Sequence, residues 1–135
     1  MEKAIFDTSV WIDFSKGIKS GSTILLKKYL NENINSLYLT PTIIQEFLMG
    51  LRTENEFITY KRYFETLNIF EPDWKAVSIT AAKLFFDLRK KGVTIRKSTD
   101  CLIAQIAIEN NALLVHNDSD FDLIAQNSEL RVYAG

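Results

Sequence analysis

The sequence predicts an α/β fold in which a parallel β-sheet is covered by helices on both faces. Three observations predict it. Short apolar runs alternate along the chain with longer segments whose apolar residues recur at helical spacing. Only two prolines and five glycines interrupt 135 residues, too few for a turn-rich all-β fold. No internal repeat and no Ser/Gly/Pro-rich linker divides the chain, so residues 1–135 read as one domain.

The elements follow in order. Ala4-Ile5-Phe6 is a short apolar run stopped by Asp7 and reads as a first buried strand. Thr8 or Ser9 then caps a helix holding Val10, Trp11, Ile12 and Phe14. The chain breaks between Gly17 and Gly21, and from Ser22 a second helix carries Ile24, Leu25, Leu26, Tyr29 and Leu30. Leu37-Tyr38-Leu39-Thr40 reads as a second strand, and Pro41 suits the first position of the next helix. That helix presents Ile43, Ile44, Phe47, Leu48 and Leu51 as an apolar stripe. Residues 54–66 form a further amphipathic helix through Phe57, Ile58, Tyr60 and Phe64. Leu67 to Phe70 reads as a third strand.

Pro72 leads into a long helix from about Trp74 to Lys91, with Val77, Ile79, Ala81, Leu84, Phe85 and Leu88 as core candidates and Gly92 as its stop. Ser98 or Thr99 caps a helix over 100–110 that turns Leu102, Ile103, Ile106 and Ala107 inward. Ala112 to Val115 is the clearest buried strand, a short helix follows, and Leu130 to Tyr133 is a candidate to close the sheet.

Composition narrows the chemistry. With 47% hydrophobic and 24% charged residues the chain can bury a core, which excludes disorder and low complexity. Sixteen basic against seventeen acidic residues, net charge −1, argue against coating nucleic acid by bulk charge. One cysteine excludes an internal disulfide and a multi-cysteine zinc site, and one histidine excludes a His–His metal site. The first residues carry charges within their short apolar stretch, and no run approaches a membrane span; the expectation is a cytoplasmic protein without membrane association.

In an open parallel sheet the functional crevice lies beyond the carboxyl ends of the strands. Asp7 follows the first strand, Glu46 lies in the second turn of the helix after the second, Asp100 opens the helix before the 112–115 strand, and Asp118 and Asp120 follow that strand. Any one of these is ordinarily a helix cap or dipole partner. Together at one predicted edge they would repel one another and raise their pKa values unless a cation relieved them. Oxygen ligands alone favour Mg²⁺ or Mn²⁺ over zinc. Such ions act on phosphates, so the pattern points to metal-assisted phosphodiester chemistry.

At these residues the sequence resembles the PIN domains, and more narrowly the VapC-type toxin ribonucleases of prokaryotic toxin–antitoxin modules. The matching stretches are Phe6-Asp7-Thr8-Ser9-Val10-Trp11-Ile12-Asp13, Pro41 through Glu46 to Gly50, Asp100-Cys101-Leu102-Ile103-Ala104-Gln105-Ile106-Ala107, and Leu113 through His116-Asn117-Asp118-Ser119-Asp120 to Asp122. They fall in the family's order across nearly the whole chain. The resemblance implies a PIN-like fold with a parallel sheet of four to five strands, a metal-dependent endoribonuclease acting as the toxin of a type II module, a homodimer, and inhibition by a cognate antitoxin. It implies that Asp7, Glu46, Asp100 and Asp118 are the catalytic acids and hold Mg²⁺ or Mn²⁺. Asp120 is a second candidate for the fourth ligand, or a cap of the following helix. Thr8 or Ser9 would support the site by hydrogen bonding. His116 departs from the commonest pattern, standing where many relatives carry threonine.

Other residues have plainer readings. Arg89-Lys90-Lys91 and Arg96-Lys97 place five basic residues within nine positions just before Asp100, suited either to guiding an RNA backbone or to a solvated helix end; Arg52 is similar. Cys101 reads as a packing residue and His116 as a structural hydrogen-bonding one. Trp11 and Trp74 read as core. Surplus apolar residues between 23 and 64 would suit a partner surface. A phosphoaspartate enzyme fits poorly, because Asp7-Thr8-Ser9 lacks the Asp-x-Asp of one class and no paired early acids serve the other. The alternative is a catalytically inactive PIN-like module that binds RNA or protein.

Overall fold

The computed structural model describes residues 1–133, in which Ala4–Phe6 forms strand β1 at the heart of the molecule. All three residues are fully buried, and since successive side chains point to opposite faces, both faces of the sheet are covered. β1 pairs in parallel with β2 (Leu37–Leu39) on one side and β4 (Leu113–Val115) on the other, and β3 (Asn68–Ile69) continues beyond β2, giving the order β3-β2-β1-β4. The register sets Ile5 opposite both Tyr38 and Leu114.

The expected fifth strand at Leu130–Tyr133 is reduced to a single parallel bridge, Leu114 to Val132, at the free edge of β4. The Arg131 carbonyl and Tyr133 amide pair with Leu114, but Arg131 itself is exposed and no ladder extends among the described residues. The third strand keeps only its middle, since Leu67 is the cap of the preceding helix.

Among the described residues seven α-helices surround the sheet: α1 (Thr8–Ser15), α2 (Gly21–Glu32), α3 (Pro41–Met49), α4 (Glu54–Thr66), α5 (Trp74–Lys90), α6 (Ser98–Glu109) and α7 (Ser119–Gln126). A short 3₁₀ turn at Ile34–Ser36, which apolar periodicity does not announce, joins α2 to β2. α2 begins in a capping box between Ser20 and Thr23. α3 begins at Pro41 as expected, with the buried Thr40 hydroxyl accepting the Ile43 amide. α5 ends in a glycine, Gly92, at φ +82°, and the Val93 amide reaches back to the Leu88 carbonyl.

Two expected caps are corrected. α1 is capped by Asp7 rather than Thr8 or Ser9, because the carboxylate reaches the Ser9 amide. α6 starts at Ser98 with Lys97 in the cap position and no side-chain cap bond; the Thr99 hydroxyl is directed elsewhere. α6 is buried nearly all round, from Asp100 and Cys101 to Ala107. Trp11 lies fully buried among Phe14, Phe47 and Phe64. Trp74 and Ile79, read as core, are instead 44% and 65% exposed on the outer face of α5. A 17-residue helix offers apolar positions on more than the one face its neighbours cover. No helix among the described residues is long and apolar enough to cross a membrane.

Candidate active site

β1 sits between β2 and β4, so the chain leaves its carboxyl end toward one side and returns on the other. That is the topological switch point of this sheet, where a crevice opens. Asp7 follows β1 directly and its amide donates to the Val115 carbonyl at 2.9 Å, tying it to the end of β4. The carboxylate is nearly buried. Its Oδ2 accepts the Ser9 hydroxyl at 2.7 Å and the Ser9 amide at 3.1 Å.

Glu46 reaches the same place from α3. Its Oε1 accepts the Thr8 hydroxyl at 3.2 Å and its Oε2 the Thr99 hydroxyl at 3.4 Å. One carboxylate thus joins the starts of α1 and α6, and the hydroxyl expected to support the site at 8 or 9 is supplied by both residues.

Asp100, in the first turn of α6, is 3% exposed, and its buried Oδ2 has no hydrogen-bond partner among the described residues. Burial pushes its pKa up to about 7, assisted by the negative charges of Asp7, Asp118 and Glu46 and opposed by Lys97. A carboxylate in that position lacks the positive charge that would justify its burial.

Asp118 caps α7 through the Asp120 amide at 3.0 Å and accepts the Arg96 Nη2 at 2.9 Å, both on Oδ1. Asp120, weighed as ligand or cap, does not cap the helix. Its Oδ2 receives the Arg96 amide at 3.0 Å and Nε at 3.1 Å. Burial works to raise its pKa, but these two bonds and the charges of Arg96 and Lys97 hold it below the usual carboxylate value. Arg96, read as an RNA guide or a solvated side chain, is therefore an ion-pair partner of the acids.

Asp7, Thr8, Ser9, Ile12, Glu46, Met49, Lys97, Asp100 and Asp118 line one open cleft of about 370 Å³. Asp120 does not line it, although one oxygen each from Asp100, Asp118 and Asp120 lie within 4.8 Å of one another. The donor set is all oxygen, and the unpartnered Asp100 oxygen together with its raised pKa marks a deficit of positive charge. These residues fit a hard divalent cation.

Sequence reading missed a polar brace beside the cleft. Asn117 donates its amide to the Ser9 hydroxyl at 3.0 Å and its side-chain nitrogen to Asp13 at 2.8 Å, and accepts the Ser22 hydroxyl at 3.0 Å. Its place between His116 and Asp118 was the one signal available. Cys101 is a packing residue as read: burial first, then Asp100 and Asp120, push its thiol up to about 11, so it holds no thiolate near neutrality. His116 engages both ring nitrogens in local hydrogen bonds, also as read.

A parallel sheet with four acids gathered at its switch point defines a class, and the family model for the PIN domain matches residues 4–127: the chain belongs to the PIN domain family. Curated relatives include VapC ribonucleases. Ribonuclease VapC11 of Mycobacterium tuberculosis and VapC ribonuclease Mb1587 of Mycobacterium bovis are each 31% identical to it over 127 residues, covering 94% of this chain and 95% of theirs. Solved structures with the same fold include DNA-bound VapBC from Salmonella typhimurium, with a TM-score of 0.75 at 17% identity over 98% of both chains. VapBC-1 from nontypeable Haemophilus influenzae superposes with a TM-score of 0.72 at 20% identity over 96% of both.

Proposed function

We propose that this chain is a VapC-type endoribonuclease, the toxin of a type II toxin–antitoxin module, which hydrolyses RNA phosphodiester bonds with Asp7, Glu46, Asp100 and Asp118 holding Mg²⁺ or Mn²⁺. The observation that carries the reading is Asp100, buried, unpartnered at Oδ2 and facing like charges in an open cleft.

A divalent cation bound there supplies electrophilic help to the phosphodiester and acidifies water at neutral pH. The chain's own residues do the rest. Ser9 saturates Asp7 Oδ2, leaving Oδ1 without a protein donor among the described residues. Arg96 and the helix amide take Asp118 Oδ1 and leave Oδ2. Thr8 and Thr99 hold the Glu46 carboxylate between two helix starts. Asp100 would hold such a cation as the carboxylate, the positive charge offsetting the burial and the like charges that raise its pKa. Lys97, at the rim, draws the phosphate backbone toward an otherwise acidic cleft.

The family likeness and the VapBC complexes among its structural relatives support a cognate antitoxin as protein partner and RNA as substrate. We further read the chain as a homodimer, and residues 1–135 as a single domain. The test is cleavage of labelled RNA by purified protein with Mg²⁺ or Mn²⁺, with and without EDTA. Cleavage should need the metal and be lost, by at least ~100-fold, in Asp7→Asn and Asp100→Asn variants that keep their circular dichroism. Cleavage retained by both variants would remove the acidic cluster from the reaction, and no cleavage with no Mn²⁺ binding would favour the inactive binding module.

A further inference from the structure

Between β4 and α7 the chain passes from strand to helix through residues 116–118 alone. The first of them, His116, has its side chain folded in at 6% exposure, with the ring against Phe121 at 5.2 Å between centroids. Its Nδ1 accepts the Asp118 backbone N–H at 3.0 Å, and its Nε2 lies 3.1 Å from Asp122 Oδ1 on the first turn of α7. An amide only donates, so Nδ1 carries its lone pair. A carboxylate only accepts, so Nε2 carries the proton. One neutral tautomer satisfies both contacts, and Asp122 selects it.

A side chain accepting the amide two residues on is the bond by which serine, threonine or aspartate closes a turn. Here an imidazole closes it and also reaches the next helix. The bond matters because of what Asp118 does next. Among the described residues both contacts to its carboxylate fall on Oδ1, so the direction of Oδ2 follows from that anchored oxygen and from the backbone at 118. That backbone is extended, at φ −129° and ψ 120°, and its amide is the group that His116 holds.

We propose that His116 is a positioning residue for the acidic cluster: braced by Asp122 and Phe121, its ring fixes the Asp118 backbone and so aims the Asp118 carboxylate into the cleft. This rests on the reading of that cluster as the cation site, and adds to it a residue that touches no reacting atom.

His116 is the chain's only histidine, so ring-¹⁵N labelling gives a single imidazole whose tautomer is read directly by NMR, at alkaline pH and without metal. The Nε2–H form, with slow exchange of the Asp118 amide, is expected. The Nδ1–H form, or rapid averaging of the two, would overturn the proposal. Mn²⁺ affinity by calorimetry and the kinetics of RNA cleavage are then compared for His116→Val, His116→Thr and Asp122→Asn. His116→Val should weaken Mn²⁺ binding and lower kcat by ~10–100-fold with little change in KM, the usual effect of removing an outer-shell partner. His116→Thr, whose hydroxyl can accept the same amide, should recover most of the loss, and Asp122→Asn should fall between. Mn²⁺ affinity unchanged in His116→Val, or His116→Thr as impaired as His116→Val, would overturn the proposal. A wild type that binds no Mn²⁺ would overturn the cation reading instead, because the tautomer and amide exchange are measured without metal.

Discussion

Asp100 carries a carboxyl that burial and the charges of Asp7, Asp118 and Glu46 keep protonated up to about pH 7, whereas in the unfolded chain it ionises near ~4. The folded state therefore binds the extra proton between these values, and the slope of stability with pH is negative there. In metal-free protein the stabilisation is full below about pH 4 and is lost as pH rises through 7, the total loss reaching roughly 4 kcal/mol. Urea denaturation across that range in EDTA should show the decline for the wild type. It should be much flatter in Asp100→Asn, and flatter again for the wild type saturated with Mn²⁺. A parallel decline in Asp100→Asn would place the effect on another group. Burial of this acid next to an apolar helix was legible, since Asp100 precedes Cys101, Leu102 and Ile103. The Arg96 pairing with Asp118 and Asp120 was not, because partners 22 and 24 residues apart have no sequence signal.

Among the elements, α3 shows how a local signal places a distant function. Thr40 and Pro41 are a legible helix start, and the structure adds that the Thr40 hydroxyl is fully buried while holding the Ile43 amide. The angle at which α3 leaves β2 sets where Glu46 meets Thr8 and Thr99. Thr40→Ala removes the cap and leaves a buried amide unpaired, so it should lower stability by ~1–2 kcal/mol, read as a reduced urea midpoint at unchanged m-value. Thr40→Ser should retain most of it. The start of α6 is the opposite case: Ser98 and Thr99 look like caps, yet the Thr99 hydroxyl goes to Glu46. A tertiary partner outcompeted the local bond. α5 was legible in extent and, through Val77, Ala81 and Leu88, in its buried face, whereas Ile79 and Trp74 fall on the exposed side.

For the molecule as a whole, β1 links stability to the site. Ile5 is fully buried between β2 and β4, and Asp7 follows two residues later. Ile5→Ala should cost ~2–5 kcal/mol through the cavity it leaves, measured by chemical denaturation. It should also raise the Mn²⁺ concentration needed for half-maximal cleavage, because Asp7 is hung on the same strand. A surface change of similar size, such as Ile79→Ala on the exposed face of α5, should move neither quantity by more than a few tenths of the core effect.

The alternation of strands and helices, the helix limits set by Pro41 and Gly92, and the four acids that line the cleft are legible from the residues alone. Those are local properties: periodicity, turn chemistry, and charged residues placed just past apolar runs. Only the packed chain shows that Leu130–Tyr133 makes one bridge rather than a strand, that Asp120 anchors Arg96 instead of capping α7, and that Asn117 ties the end of β4 to Ser9, Asp13 and Ser22. Each of these depends on which groups compete for one hydrogen bond or one buried volume. That competition is settled only when segments far apart in the chain are brought within 3 Å of one another.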